Sequence, residues 1–436
     1  MRKLLLSSVA AAAVLSSSAF AAATIATDGT GQYLISGQYY AMPGYSTKLK
    51  LVNTDLNSSV IMRGVVRESV SSQEVDFTIT LSPGDVWEAD LYYENGKAMI
   101  KSTDDSNYVA AGSTLAASKI YNGFALAEQW NAAYPKVPRD FTKGYVEFYP
   151  IAQIDHGSTD KVNKVRPTGA SVNGEIEGLY DAVDELAAAV DAATAEGMGF
   201  VAVSDDAVAG FTTIYAEAKD AAMMLPMLAI EGLDDTELGT EAGSAIVFGP
   251  DMEPGQDTIA AAYFKPDGVD NIREALTVKS VTAPFEAYGV DQDFKFAWWA
   301  DYRRHKVDYS SECVQIRKFD LVVRDMEENR PGITTYGDVI SPWKPEEETT
   351  STTGCEMGYV GVRDMMVNYT TLGTNVYEKG MMKLSNFVDA TSTDPQIVVN
   401  ETGIVDNLAA VVTFMTATDV GDGKLSYNWI YPAVER

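Results

Sequence analysis

The sequence predicts a mainly β protein of antiparallel, sandwich-like (immunoglobulin-like) regions that carries a helical insertion. Apolar residues alternate with polar ones in short runs, the period of a half-buried strand. The runs recur at intervals of about 8 to 12 residues with turn-forming clusters between them, as sandwiches do. One stretch, residues 176–196, breaks this pattern with apolar residues at helical spacing. The chain divides accordingly into an export signal (1–21), a first β region (22–160), a loop and helical insertion (161–244) and a second β region (245–436).

Residues 1–21 have the form of an export signal. Arg2 and Lys3 precede an apolar stretch over 4–15, and Ala19-Phe20-Ala21 places small residues around a cleavage point. That stretch is shorter than a spanning helix requires, and no run of about 18 apolar residues follows it. The expected product is therefore exported to the periplasm, cell surface or exterior, without a transmembrane segment. A retained N-terminal anchor is the alternative.

In the first β region, residues 33–35 and 47–52 alternate with polar residues facing out, and 53–59 has the composition of a turn. Residues 60–69 form the next strand, with Arg63, Arg67 and Glu68 set among valines. Phe77, Ile79 and Leu81 share one face of 76–81, and Ser82-Pro83-Gly84-Asp85 turns the chain into 86–91. Asn95-Gly96 marks a tight hairpin whose central residues need positive φ. Residues 111–140 are less regular, 144–149 form one strand, and 157–174 have loop composition.

The insertion begins where Leu179, Val183, Leu186 and Val190 fall on one helical face, with Gly197 as a stop. A second helix is expected over 213–225, ended by Pro226, so the helical part spans roughly 176–226. Asp234, Asp235, Glu237 and Glu241 then form an exposed loop. Strands return at 245–248, 258–264, 276–282, 294–302, 314–323, 359–369, 381–387, 409–418 and 424–431.

Charge and cysteine content narrow the chemistry. With 33 basic residues against 62 acidic ones the net charge is −29, and near −31 once Arg2 and Lys3 are removed. Such a surface repels nucleic acid and anionic lipid, whose phosphates need clustered Lys and Arg. The only two cysteines, Cys313 and Cys355, are expected to pair in an oxidising compartment, two free thiols being the alternative. Such a bridge would contribute roughly 4 kcal/mol on the chain-entropy account. The polar run over 346–353 lies between them as an exposed loop.

With only His156 and His305 in the chain, a zinc site built from several histidines is excluded, and a Ser-His-Asp triad would need one of the two. His305 sits in Arg303-Arg304-His305-Lys306, where neighbouring cations weaken a base, and no Gly-x-Ser-x-Gly elbow or Walker loop occurs. Paired carboxylates would support a hydrolase, yet nothing singles out one pair among 62 acids. Asp419 and Asp422 open an oxygen-rich stretch and are weak calcium candidates; Asp104, Asp105 and Asn107 form another cluster. Neither supplies the spaced acids and final Glu of a calcium loop, and a hairpin accounts for Asp422-Gly423. No other cofactor is implied. Phe294, Phe296 and Trp298 point to one side of their strand as core, leaving Trp299, Arg303, Arg304 and Lys306 as the candidate contact surface.

The second half combines an aromatic strand and basic cluster (294–306), Cys313, Arg324-Asp325-Met326-Glu327-Glu328, Ser341-Pro342 and Cys355-Glu356; the first half adds Leu81-Ser82-Pro83-Gly84-Asp85-Val86-Trp87. In these short motifs, spread over most of the mature chain, it resembles a family of uncharacterised, exported, β-rich bacterial surface or secreted proteins. The chain departs from that pattern at Trp298-Trp299-Ala300-Asp301, where the family tends to have a Pro-Thr step. The resemblance implies export, β structure and the disulfide, and carries no activity. The expected function is that of a non-enzymatic structural or interaction protein whose partners are other copies of itself or envelope components. A carbohydrate- or ligand-binding module using exposed aromatics is the second reading, a carboxylate hydrolase the third.

Overall fold

The computed structural model describes residues 23–69, 74–108, 119–133, 138–155, 200–201, 203–217, 221–233, 275–286, 293–298, 317–325, 334–336, 357–361, 379–389, 410–419 and 425–436. Over these the chain is mainly β, in antiparallel sheets. The first sandwich starts with β1 (Thr24–Ile25), β2 (Thr30–Gly31), β3 (Tyr33–Tyr40) and β4 (Tyr45–Asn53). It continues through β5 (Ser58–Glu68), β6 (Glu74–Leu81), β7 (Val86–Glu94) and β8 (Lys97–Lys101). Helices α1 (Lys119–Asn122) and α2 (Leu126–Ala133) flank β9 (Phe124–Ala125), ahead of β10 (Lys143–Asp155) and β11 (Phe200–Val201). β12 (Val208–Ala216), β13 (Ala221–Pro226) and β14 (Leu228–Glu231) complete it. Sheet A runs β1-β14-β3-β10-β5-β6 with β11 on β10; sheet B runs β13-β12-β4-β7-β8-β9 with β2 on β12.

Local sequence explains the inner faces. In β4, Leu49 and Leu51 are buried beside Ala89 and Trp87 of β7, while Lys48 and Lys50 stand opposite Asp90 and Glu88 on the wet side. The β7–β8 turn has Asn95 at φ 52° and Gly96 at φ 82°, the pair of positive angles the Asn-Gly motif predicts. Trp87 lies at the centre of the core, its ring centroid 5.3 Å from Phe77 and 5.8 Å from Phe148. Its indole N–H donates to Asn107 Oδ1 at 2.8 Å, so the large ring is buried with no polar atom left over.

Sheet A is different, because every residue of β5 and β6 is buried. A strand with one wet face would alternate; these do not, so both faces of the sheet are covered. Part of the second cover comes from the C-terminal half. Tyr33, Ile35, Val65, Tyr145 and Tyr149 on the outer face cluster with Ala275, Leu276 and Val411. That half contains β15 (Ser280–Glu286), β16 (Asp293–Trp298), β17 (Arg317–Asp325), β18 (Thr334–Tyr336) and β19 (Met357–Gly361). β20 (Lys379–Asp389), β21 (Ala410–Asp419), β22 (Leu425–Ile430) and β23 (Ala433–Glu435) follow. They form one sheet ordered β18-β17-β20-β15-β23 and another ordered β19-β16-β21-β22.

A bulge in β3 aims this contact. The β3–β10 register shifts between Tyr145 and Glu147, so Ser36 and Gly37 together oppose Val146. Ser36 Oγ accepts the Val146 N–H at 2.7 Å, which satisfies the donor the bulge displaces. The extra residue lets both Ile35 and Gln38 face the C-terminal half, where Thr413 Oγ1 donates to Gln38 Oε1 at 3.0 Å. A side chain at Gly37 would press on the Thr413 methyl at 3.0 Å, so glycine permits the close approach.

One expectation is overturned. Residues 213–225 are not a helix: β12 and β13 form a hairpin, paired from Phe211 with Pro226 to Ala216 with Ala221. The alanines and methionines favour a helix locally, but Val208, Thr212 and Ile214 alternate inward against the core and β12 pairs with β4 along nine residues. Long-range pairing outweighs a propensity of a few tenths of a kcal/mol per residue. Strands β12, β13 and β14 thereby belong to the two sheets of the first sandwich. Helix 176–196, loop 157–174, the acids at 234–241 and the strands expected at 245–248 and 258–264 lie outside the described residues.

A Cβ added at Gly144 would collide with the Arg67 carbonyl and crowd the Tyr39 ring, both on rigid neighbours. Gly144→Ala is expected to destabilise the first sandwich by about 3 kcal/mol or more, read as a lowered urea midpoint. A change below about 0.5 kcal/mol would contradict the close β5–β10 approach.

Candidate functional site: a buried ion network on the covered sheet face

Alternation places Arg63 and Arg67 of β5, Asp76 and Glu74 of β6, and Glu147 of β10 on the same outer face of sheet A. The registers bring them side by side: Arg67 opposes Glu74 across β5–β6, and Tyr145 across β5–β10. Arg63 donates from Nε and Nη2 to Asp76 Oδ2 at 2.9 and 2.5 Å, and from Nη1 to Thr78 Oγ1 at 2.9 Å. Arg67 pairs through Nη1 with Glu74 Oε2 at 2.6 Å and through Nε with Glu147 Oε2. Its Nη2 donates to the Tyr149 hydroxyl at 3.1 Å. Glu147 also accepts the Tyr33 hydroxyl at 2.6 Å on Oε1 and the Tyr149 hydroxyl at 2.8 Å on Oε2.

Glu147 is 0% exposed and Arg67 6%. Burial works against the Arg67 charge, but Glu147, with Tyr149 and Glu74, outweighs it and raises the guanidinium pKa well above its ordinary value. Burial first, and Glu147 second, push the Tyr33 phenol well above the usual range; Tyr149 is raised by the same two causes. Both phenols therefore remain hydrogen-bond donors at neutral pH. Nearby, Arg139 Nε donates to Glu68 Oε1 at 3.2 Å, another buried pair. The arrangement can hold geometry, because each arginine is forked between fixed acceptors. It presents none of these groups to solvent.

The second polar cluster caps a turn. Asp104 Oδ1 accepts the Ser106 N–H at 2.9 Å and Oδ2 the Glu88 N–H at 3.2 Å, while Asp85 Oδ2 accepts the Ser106 hydroxyl at 3.0 Å. Asn107, grouped with Asp104 and Asp105 by sequence, turns inward: its Oδ1 serves Trp87 and its Nδ2 donates to Ser102 Oγ at 3.0 Å. Burial raises the Asp104 pKa; burial, then Asp85, raises that of Asp105. Among the described residues no group of three or more His, Cys, Asp or Glu side chains is placed to hold a metal ion, and no helix is long and apolar enough to cross a membrane.

The residues singled out from sequence fall elsewhere. Trp299, Arg303, Arg304, Lys306, Cys313, Cys355, Asp422, His156 and His305 lie outside the described residues. Asp419 ends β21, opposite Leu425 of β22. The network itself was visible only as oddities in sequence: Arg63 and Arg67 each two positions from Val65, Glu74 and Asp76 two positions apart, and Glu147 two positions from both Tyr145 and Tyr149. Opposite charges at matching parity in consecutive strands were the available signal. In comparisons with family models, curated proteins and solved structures, nothing matches this chain.

Arg67→Met removes the guanidinium between the buried carboxylates of Glu74 and Glu147, and is expected to cost about 3–5 kcal/mol in urea unfolding. Replacing Arg67, Glu74 and Glu147 together by Met, Leu and Leu should cost less than that single change, since no buried charge is left uncompensated; a triple variant worse than the single one would mean the network contributes net stability. A separate expectation concerns pH. Burial, with Asp85 beside it, holds the Asp105 carboxyl above its ordinary pKa in the folded chain, so its contribution is full below the unfolded value and is lost as pH rises through the folded one. Asp105→Asn should therefore raise the melting temperature most near pH 7, with the advantage closing towards about pH 4. An advantage independent of pH would refute this origin.

Proposed function

We propose that the chain is an exported, non-enzymatic structural or interaction protein of the cell envelope. The observation that carries this reading is the ion network on sheet A. Its arginines, carboxylates and phenols are directed at one another and buried, and the side chains of Tyr33, Val65, Tyr145 and Tyr149 among them pack in one cluster with a second β-rich half, an arrangement suited to holding two β units in a fixed relation. The hydrogen bonds from Thr413 to Gln38 and from the Tyr431 hydroxyl to the Pro226 carbonyl tie the halves further. Arg2 and Lys3, the apolar stretch and Ala19-Phe20-Ala21 support export, and the resemblance to exported β-rich bacterial proteins supports the envelope.

The test is purification of the protein from cells of a host in which export signals are processed. The chain is expected to begin at Ala22 by mass spectrometry and to form ordered multimers by light scattering and electron microscopy. A strictly monomeric mature chain would count against an assembling role, and a chain still beginning at Met1 against export.

A further inference from the structure

The outer face of sheet B carries the opposite solution to that of sheet A, since its charges are wet. Across it, register partners share the face, and one row reads Met224, Thr213, Lys48, Asp90, Lys101. The row beside it reads Pro226, Phe211, Lys50, Glu88. The two central strands are therefore opposite in sign, β4 with lysines and β7 with carboxylates. At the β12–β13 margin, Met224 is 64% exposed and Tyr215 37%, large apolar side chains open to solvent. β12 and β13 carry no charged residue.

We infer that this face binds a second copy of the same chain about a two-fold axis running parallel to the strands between β4 and β7. The inference rests on the assembling role proposed above and names the partner and its site. The reason is charge complementarity. An acidic chain of net charge −29 repels its own copies over most of its surface, yet on this face Lys48 and Lys50 balance Glu88 and Asp90. A two-fold axis in that position lays β4 of each copy on β7 of the other, so lysines meet carboxylates twice over. The apolar margin of each copy then lies over the β8 side of its partner, where Met99 is half-buried on the same face. The pairs within one copy, Lys48 to Asp90 at 3.1 Å and Lys50 to Glu88 at 2.5 Å, are partly exposed. Exposed pairs hold weakly, so the same side chains can bridge across the interface with little loss.

The experiment uses the full mature chain and two charge-reversed variants, Lys48→Glu/Lys50→Glu and Glu88→Lys/Asp90→Lys, sized by analytical ultracentrifugation, with circular dichroism to establish folding. Wild type is expected to associate. Each variant alone places like charges in contact and should weaken association about 100-fold or more. An equimolar mixture restores both β4–β7 contacts and should associate as wild type does, an outcome that misfolded variants could not produce. Met224→Glu, which leaves the central rows intact, should also weaken association. If wild type assembles and the reversals and their mixture behave alike, this interface is wrong while the assembling role stands. If wild type is monomeric throughout, both fall.

Discussion

The pairing of Arg67 with Glu74 and Glu147 is the interaction on which the rest of the structure depends. Withdrawing a guanidinium from water costs several kcal/mol even after relaxation, and the cost is met only when the geometry is good and the remaining polar atoms are satisfied. Here the strands supply that geometry. Antiparallel register sets Glu74 beside Arg67, and β10 brings Glu147 and Tyr149 to its other side. The phenols of Tyr33 and Tyr149 complete the coordination of Glu147 and pack edge to face, 5.2 Å between ring centroids. The network is stable only while dry, and it stays dry only because another part of the chain lies over it.

That requirement links the two halves. Ala275, Leu276 and Val411 contribute apolar cover beside the charges, and Thr413 reaches Gln38 across the bulge at Ser36–Gly37. A second bulge, where the β10–β5 register shifts between Pro150 and Ala152, accommodates a proline inside a central strand. Both irregularities fall on strands that line the covered face, and each preserves the inward and outward assignment of the residues after it. The sheet is thus shaped by the contact it makes.

The two sheets of the first sandwich use the same residue types for different ends. On sheet A, charges are buried and fixed; removing one partner leaves a stranded ion. On sheet B, Lys48, Lys50, Glu88 and Asp90 remain in water, where each pair contributes about 0–1 kcal/mol and rearranges readily. Hydrogen bonds from Lys50 lower the Glu88 pKa, the ordinary behaviour of a partly exposed ion pair. The first sandwich thus has one face whose charges are buried and one whose charges remain exchangeable with water.

Much of the architecture was legible in the residues themselves. The alternation of Leu49 and Leu51 with Lys48 and Lys50, the shared face of Phe77, Ile79 and Leu81, and Asn95-Gly96 determined strands, inner face and hairpin, because a period of two and a positive-φ pair are local properties of the chain. Two matters were decided only in three dimensions. Residues 213–225 became a hairpin because β12 found β4, a partner some 160 residues away in the chain, which local helix propensity does not register. Arg63, Arg67 and Glu147 are buried, and the apolar residues among them, Val65, Tyr145 and Tyr149, cluster with Ala275, Leu276 and Val411 of the C-terminal half. Alternation tells which side of a sheet a residue faces, but whether that side meets water or protein depends on what the remote chain places there.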